Sequence, residues 1–482
     1  MEPSLKDKTA SSMLWSLFNS GAVEVLNLVI GIFLARLLTP ADYGIVGVLT
    51  IFTLVAGNIQ TFGFAQALVN LKDATDRDYN SVFWFNVIVS FVLYTILFFS
   101  APLIAAYFHE PRLIAVSRFL FLVFLIASFN IAHIGYMNKH LMVKETATIS
   151  VLALAISGVV GVTMAFNGMA YWSLAWQQVT YTAITVVGRY YFTPWHPTFH
   201  IDFRPVRRMM GFSVKILLTN IVNSLSGQVL TFIFGHYYPM RDVGNFSQAN
   251  KWNTLANSFV FTSVDQVAQP VMVKAGDERE RRKRVFRKLL RFSAFIAFPV
   301  MLGLALVSRE FILVTIKEQW LEAIPLLQVL CVGGAFVPLH HVYQNLTIST
   351  GRSDIYMWVN ISQIVLVIAL VLGFRSQGIP MMVNVFSGFL ILWTLVWYLV
   401  SRKLVGVTFV EFLRDIVPTL VIAAVVIAFT GWVTKPIGNL TVLLVARVLL
   451  AAALYAAVMW IVRDDTMREA VSYLRQKFHR QA

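Results

Sequence analysis

Charged residues are scarce in this sequence, and cysteine is almost absent. Asp, Glu, Lys and Arg make up only 13% of the 482 residues, whereas about a quarter is usual in soluble proteins. Hydrophobic residues make up 58%, so a soluble globular fold is excluded and an all-α integral membrane protein is predicted. The single cysteine, Cys331, excludes an intrachain disulfide.

Sequence motifs for nucleotide or metal chemistry are also missing. There is no phosphate-binding glycine loop, no Cys/His cluster with zinc spacing and no HExxH pair. We therefore expect no cofactor, no metal and no enzymatic activity. No predicted loop is long enough for a nucleotide-binding domain, so the energy for any transport is expected to come from an ion gradient, the substrate gradient or a partner.

Apolar runs of about 20 residues, the length that crosses a bilayer, predict about fourteen transmembrane helices. The N-terminus lacks the pattern of a cleaved signal peptide, so the first run is expected to remain as a helix. The predicted spans are 12–37, 42–69, 80–108, 113–136, 146–166, 170–192, 209–236, 244–273, 289–307, 322–348, 354–374, 379–400, 415–434 and 439–462.

Positive charge lies mainly between these spans. The formal net charge of +15 would also suit a nucleic-acid partner, but its distribution favours membrane topology. With the N-terminus inside, 28 Lys and Arg residues fall on the inner side and eight on the outer side. Both termini are therefore expected in the cytoplasm. The basic run at 274–291 is expected to bind anionic membrane lipids, and no nucleic-acid partner is predicted.

The sequence also contains a weak internal repeat. RLLTPADYG at 36–44 matches HYYPMRDVG at 236–244, which pairs Gly44 with Gly244. A further match pairs Tyr136 with Tyr343. Six predicted spans separate the copies, so both enter the membrane in the same direction, as in the parallel repeats of transporters.

The repeat predicts two pseudo-symmetric six-helix lobes around a central cavity. Two additional helices and a cytoplasmic tail follow them. The predicted boundaries are 1–205 for the N-terminal lobe, 206–403 for the C-terminal lobe and 404–482 for the remainder.

Polar stripes mark the first two helices of each predicted lobe. A helix surrounded by lipid has no reason to carry such a stripe, so these faces are expected to line the cavity. The alternative is that their small residues only pack helices together. The predicted substrate-binding residues are Lys251, Gln60, Ser224 and Ser258.

Ionisable groups inside a span cost at least ~2.5 kcal/mol and are usually functional or paired. Glu24 and Asp265 are therefore the candidates for coupling transport to an ion. For Lys251 the alternative is that its amine reaches the headgroups as a structural anchor.

Three stretches resemble one family. They are FLARLLTPADYGIVGV at 33–48, VGNFSQANKWNTL at 243–255 and STGRSDIYMWVN at 349–360. The chain resembles the polysaccharide transporters, the O-antigen, colanic acid and capsule flippases of the multidrug/oligosaccharidyl-lipid/polysaccharide superfamily. The resemblance implies alternating access in the bacterial inner membrane, with an undecaprenyl-pyrophosphate-linked oligosaccharide as substrate. It also implies a polysaccharide polymerase and other assembly proteins as partners.

In the related peptidoglycan-precursor flippases, a basic residue near the start of span 8 contributes to a cationic cavity, and Lys251 stands at the matching place. Spans 1 and 2 depart from that pattern, because Glu24 and Gln60 stand where those flippases carry arginines.

Two other functions remain open from the sequence. One is an ion-coupled antiporter of drugs or small molecules, with Glu24 or Asp265 as the coupling carboxylate. The other is a membrane-embedded polysaccharide polymerase, which would need a sizeable outer loop to hold catalytic groups.

Overall fold

The computed structural model describes residues 5–274, 278–462 and 467–468. Within these ranges, the side chains of 5–14, 16–20 and 262–271, and some of those at 212–226, lie outside the description. The described ranges contain helices and connecting turns but no β-strand. Two compact units divide the chain, Met1–Gly244 and Asn245–Ala482.

The first unit contains ten helices and the first turn of an eleventh. They are α1 Leu5–Leu37, α2 Pro40–Thr61, α3 Phe64–Asn70, α4 Asp76–Tyr107, α5 Leu113–Leu120, α6 Leu122–Ser128, α7 Ile131–Lys139, α8 Val143–Phe166, α9 Trp172–Phe192 and α10 Arg204–Tyr237.

The second unit contains the remaining helices. They are α11 Met240–Lys274, α12 Arg279–Ile316, α13 Ala323–Gly334, α14 Val337–Ser349, α15 Ser353–Gly373, α16 Ile379–Val405, α17 Phe409–Val433 and α18 Leu440–Ile461. The basic run predicted as a linker is partly helical, because α12 begins at Arg279.

This is a multi-pass membrane protein. Within the described residues, nine helical segments are long and apolar enough to cross a bilayer, and a bent segment makes a tenth if it counts as one span. The bent segment is the predicted span 113–136, in which the axis turns by 46° between Leu113–Ser128 and Ile131–Lys139. Hydropathy does not register such a break, because it reports the polarity of side chains and not the direction of the helix axis.

The predicted span 322–348 is also divided in two, as α13 and α14. Pro338 lies in the first turn of α14, where its missing N–H and fixed φ favour a helix start. This span lies six predicted spans after the bent one, so the internal repeat matches the two broken spans with each other.

The local sequence Thr-Pro-Ala-Asp explains why α2 starts at this point. The Asp42 carboxylate accepts hydrogen bonds from Thr39 N at 2.9 Å and from Thr39 Oγ1 at 2.7 Å, as a capping box requires. Its other oxygen accepts from Tyr171 N at 3.1 Å. Asp42 therefore begins the helix and fixes it to the turn between α8 and α9.

Ion pairs hold α17 and α18 against α12 in the second unit. Asp415 of α17 accepts from Arg287 Nε at 2.6 Å and from Arg291 Nε at 2.7 Å. On α18, Arg447 pairs with Glu310 at 2.8 Å. The positive charge of Arg447, which the sequence places inside a span, is thus neutralised within the helix bundle.

Candidate functional site

Helices α2 and α10 of the first unit pack side by side along a seam that carries Ser224. Toward one end, Gly235 lies so close to α2 that a Cβ on it would be 2.4 Å from Val48 Cγ1. Further along, the rings of Phe52 and Phe232 lie 6.1 Å apart. These contacts follow one another along both helices, so the antiparallel pair stays together over several turns.

Two glycines make the closest approach in the first unit, where the first turn of α11 crosses α2. A Cβ on Gly44 would lie 1.9 Å from the Met240 carbonyl oxygen. A Cβ on Gly244 would lie 1.7 Å from the Pro40 carbonyl oxygen. Both distances are far shorter than a van der Waals contact, so glycine is required at both positions. The contact is reciprocal, and it joins the two residues that the sequence repeat matches.

A polar contact lies deeper in the same seam. Asn58 Nδ2 donates to Ser224 Oγ at 2.7 Å and to the Asn220 carbonyl oxygen at 3.3 Å. The sequence analysis identified Ser224 but missed Asn58. A signal was present, because an amide inside an apolar span is costly unless it finds a hydrogen-bond partner.

Gln60, two residues further along α2, is buried. Its Nε2 donates to the Phe124 carbonyl oxygen of α6 at 2.7 Å, which ties α2 to the bent span. The described contact of Gln60 is therefore with the protein itself, and its predicted role in substrate binding stays a prediction.

Glu24 lies exposed on α1, and no described residue bonds to its carboxylate. Three residues along the same helix, Asn27 lines a cavity of 320 Å³ together with Ser157 of α8 and Gln177 of α9. Polar groups from three helices of the first unit thus meet within the bundle, close to Glu24 in the chain.

Lys251 lies half-buried on α11 in the second unit. Its Nζ is 5.9 Å from the centre of the neighbouring Trp252 ring, and no described carboxylate lies within 4 Å of it. One turn earlier, Gln248 is fully buried, and neither of its amide atoms has a hydrogen-bond partner among the described residues. Gln248 belongs to the same helical face as Lys251 and was missed in the sequence analysis.

Ser258 lies seven residues after Lys251 and is half-buried. Seven residues make about two turns, so both side chains occupy one face of α11. Asp265 lies on the same helix, but its side chain is outside the described residues. Gln60 faces α6 and Ser224 of α10 contacts Asn58 on another side of α2, so the structure does not bring these two side chains together. In the other unit, Lys251 and Ser258 lie on one helix.

Metal and cofactor chemistry has no candidate ligand set in the part of the chain that the structure describes. No group of three or more His, Cys, Asp or Glu side chains is placed to hold a metal ion there. Cys331 is buried in α13.

The chain is similar to curated proteins of bacterial polysaccharide synthesis. It is 26% identical over 439 residues to the lipopolysaccharide biosynthesis protein WzxC of Escherichia coli. The aligned region covers 87% of this chain and 88% of that protein. It is 24% identical to the teichuronic acid biosynthesis protein TuaB of Bacillus subtilis, with 74% of each chain covered. It is 23% identical to the succinoglycan biosynthesis transport protein ExoT of Rhizobium meliloti, over 74% of this chain and 73% of that protein.

Solved structures share the fold. The lipid II flippase MurJ in an inward closed conformation matches with a TM-score of 0.75 and 14% identity, covering 94% of this chain and 99% of that one. An inward-facing multidrug transporter of the MATE family matches with a TM-score of 0.62 and 16% identity, over 79% and 94%. These likenesses show that the chain shares its all-helical fold with a lipid II flippase and a multidrug transporter.

The chain also matches the sequence pattern of one protein family, which is described as polysaccharide biosynthesis protein. That pattern matches residues 33–325, which is more than half of the chain. The relatives and the shared fold agree with this match, and the chain belongs to the polysaccharide biosynthesis protein family.

Proposed function

We propose that this protein flips an undecaprenyl-pyrophosphate-linked oligosaccharide repeat unit across the bacterial inner membrane. The glycan is destined for O-antigen, exopolysaccharide or capsule. The family match over residues 33–325 carries this proposal, together with relatives named for lipopolysaccharide biosynthesis and succinoglycan transport. In this proposal the protein is a transporter and performs no covalent chemistry.

The proposed architecture has fourteen transmembrane helices in two six-helix lobes, 1–205 and 206–403, around a central cavity, with both termini in the cytoplasm. Two observations support the lobes. The first is the reciprocal contact of the repeat-matched Gly44 and Gly244. The second is that the fourth and tenth predicted spans are each interrupted by a short turn, although only the fourth is sharply bent. The excess of inner Lys and Arg supports the topology.

In the proposed site, Lys251 binds the pyrophosphate, and Ser258, Ser224 and Gln60 line its path. An amine inside a span needs either a partner or an aqueous surface. The described contact of the Lys251 amine is with the Trp252 ring, 5.9 Å away, and its place inside a predicted span supports a role for it as an anion ligand. Because Lys251 is a single cation, the affinity for pyrophosphate must also come from hydrogen-bond donors such as the unpartnered amide of Gln248.

Glu24 and Asp265 are the proposed ion-coupling residues. Glu24 is supported by its exposed carboxylate, which has no described partner, and by its place one helical turn before Asn27, which lines the cavity between α1, α8 and α9. Glu24→Gln removes the titratable group at nearly constant size. It should abolish the dependence of transport on an ion gradient while lipid-linked substrate still binds. Gradient-driven transport at the wild-type rate would exclude Glu24.

Depletion of the protein in its host tests the function. The proposal predicts that surface glycan disappears while the intact lipid-linked repeat unit accumulates, accessible to probes only from the cytoplasmic side. A polymerase would give a different result, because single repeat units would still reach the outer surface. An antiporter of drugs would change drug sensitivity and leave surface glycan intact. Either of these last two results would contradict the proposal.

A further inference from the structure

A cleft in the first unit lies away from the seam, where helices α4 and α7 meet the linker between α9 and α10. It encloses 530 Å³, within the range of about 300 to 1,000 Å³ that is usual for small-molecule sites. Its lining includes Asp76, Arg77 and Asn80 of α4, Tyr136 of α7, and Trp195, His196 and His200 of the linker. The sequence analysis missed it, because these residues come from three distant segments.

The linker wall of the cleft is held in place by hydrogen bonds to one face of α4. Asn80 Oδ1 accepts from Thr198 N at 2.9 Å, and Trp84 Nε1 donates to the Thr198 carbonyl oxygen at 2.7 Å. Arg77 Nε donates to Asp202 Oδ2 at 2.6 Å. Successive turns of α4 therefore fix the linker backbone, so the cleft is formed before any ligand arrives.

Aromatic rings form the floor. The Tyr79 ring packs against those of Tyr136, at 5.4 Å, and Trp195, at 5.8 Å. Directly behind Trp195 lies His133, which is fully buried and packs against the Tyr190 ring at 4.1 Å.

The internal repeat supplies a comparison for this floor. Tyr343, the repeat-matched counterpart of Tyr136, is only 1% exposed and packs against Phe286. Tyr136 instead keeps part of its surface open to the cleft. Of the two repeat-matched tyrosines, Tyr343 thus belongs to the core and Tyr136 to the wall of the cleft. Core packing alone therefore does not explain why a tyrosine stands at position 136.

The charges around the cleft argue against a phosphate ligand. Arg77 is paired with Asp202, and nearby Arg208 is paired with Asp78 at 2.8 Å. Asp76 adds an exposed carboxylate. The cleft therefore has aromatic rings, a carboxylate, two imidazoles and Arg77, whose guanidinium already pairs with Asp202. Aromatic faces carry negative charge density and attract the slightly positive C–H face of a sugar ring, while the polar groups match its hydroxyls.

We propose that this cleft binds sugar rings of the oligosaccharide that the protein flips. The inference rests on the proposed function. The lining residues lie at the start of α4 and after the end of α9, beyond the apolar parts of the spans, where the predicted topology puts them on the cytoplasmic side. Sugars that extend from a lipid anchor into the cytoplasm can reach this level, so the cleft would select the glycan before the membrane crossing.

The experiment uses two probes with purified full-length protein in lipid nanodiscs. One is the free glycan that mild acid releases from the host's lipid-linked intermediate, and the other is inorganic pyrophosphate. Saturation-transfer NMR should detect glycan binding to the wild type. Asp76→Asn and Tyr136→Ala should each weaken it roughly tenfold, the scale of one strong polar contact or one ring contact. Pyrophosphate binding should be the same in all variants.

Tyr191→Ala is the matched control, because this tyrosine is 83% exposed and does not line the cleft. Tyr136→Phe keeps the ring and tests the hydroxyl alone if Tyr136→Ala is poorly folded. The inference would be overturned if both Asp76→Asn and Tyr136→Phe bound glycan with wild-type affinity, or if the wild type bound no glycan. Flipping by the same protein would then show that the proposed function still stands. Glycan binding in a protein that does not flip would overturn the proposed function and leave the cleft assignment intact.

Discussion

Gly44 and Gly244 lie 200 positions apart in the sequence, yet each is pressed against the backbone beside the other. Gly44 meets Met240, and Gly244 meets Pro40. The starts of α2 and α11 therefore cross with their backbones in direct contact.

Gly44→Ala should push the starts of α2 and α11 apart where they cross. The new methyl group would overlap the Met240 carbonyl oxygen, at a cost of about 1 to 3 kcal/mol for overpacking. We expect lower thermal stability in detergent and strongly reduced glycan export. Gly57→Ala is the matched control on the same helix, because nothing lies within 4 Å of its Cβ, and alanine favours a helix by up to about 1 kcal/mol. Equal effects of the two substitutions would contradict the close-contact account.

A disulfide between positions 58 and 224 should stop transport. The pair Asn58→Cys and Ser224→Cys replaces a 2.7 Å hydrogen bond, and a Cys331→Ala background removes the only other thiol. The proposed lobe boundary between residues 205 and 206 puts α2 and α10 in different lobes, and these helices must separate during alternating access. Oxidation should therefore arrest flipping, and reduction should restore it. Each single cysteine variant is a control. Full crosslinking with unchanged flipping would mean that α10 moves together with α2.

Lys251→Ala should reduce surface glycan at normal protein levels. Loss of a charge-assisted contact to pyrophosphate is worth about 1.5 to 3 kcal/mol, or a factor of roughly ten or more. Lys251→Arg should keep part of the activity, because a guanidinium also pairs with phosphate. Lys403→Ala, at an exposed lysine near the end of α16, should have no effect. Wild-type export by Lys251→Ala would rule out Lys251 as the pyrophosphate ligand.

Asp415→Asn should destabilise the second unit. The Asp415 carboxylate is 1% exposed and pairs with two arginines of α12. Its neutralisation weakens both charge-assisted contacts while Arg287 keeps its pair with Glu411, so a loss of about 1.5 to 3 kcal/mol is expected. Asp354→Asn breaks a pair in which both side chains are more than half exposed, for which less than about 1 kcal/mol is expected. Denaturation in mixed micelles measures both, and similar losses would contradict the buried-network interpretation.

Several elements of this fold could be predicted because they follow from local sequence. Apolar length gave the multi-pass helical class, and the repeat gave the pairing of Gly44 with Gly244. The start of α2 is also local: a capping box forms between Thr39 and Asp42, and Pro40 occupies the first helical position, as this order of residues favours.

Other features depend on contacts between distant segments and could not be predicted. The 46° bend after Ser128 leaves no trace in hydropathy. The partner of Asn58 is more than 160 residues away, and Gln60 bonds to a backbone carbonyl that any residue type would supply. The cleft beside Tyr136 requires three segments to meet, so no spacing in the sequence announces it.

The most direct test of the central claim is flipping by the purified protein. Vesicles are prepared with a fluorescent lipid-linked oligosaccharide in both leaflets, with and without the protein, and a membrane-impermeant reductant is added outside. Vesicles without protein should lose only the signal of the outer leaflet. Vesicles with the wild-type protein should lose nearly all of it, because substrate from the inner leaflet reaches the outside, and the oxidised Asn58→Cys/Ser224→Cys protein should behave like empty vesicles. The same outer-leaflet loss with and without wild-type protein would contradict the account.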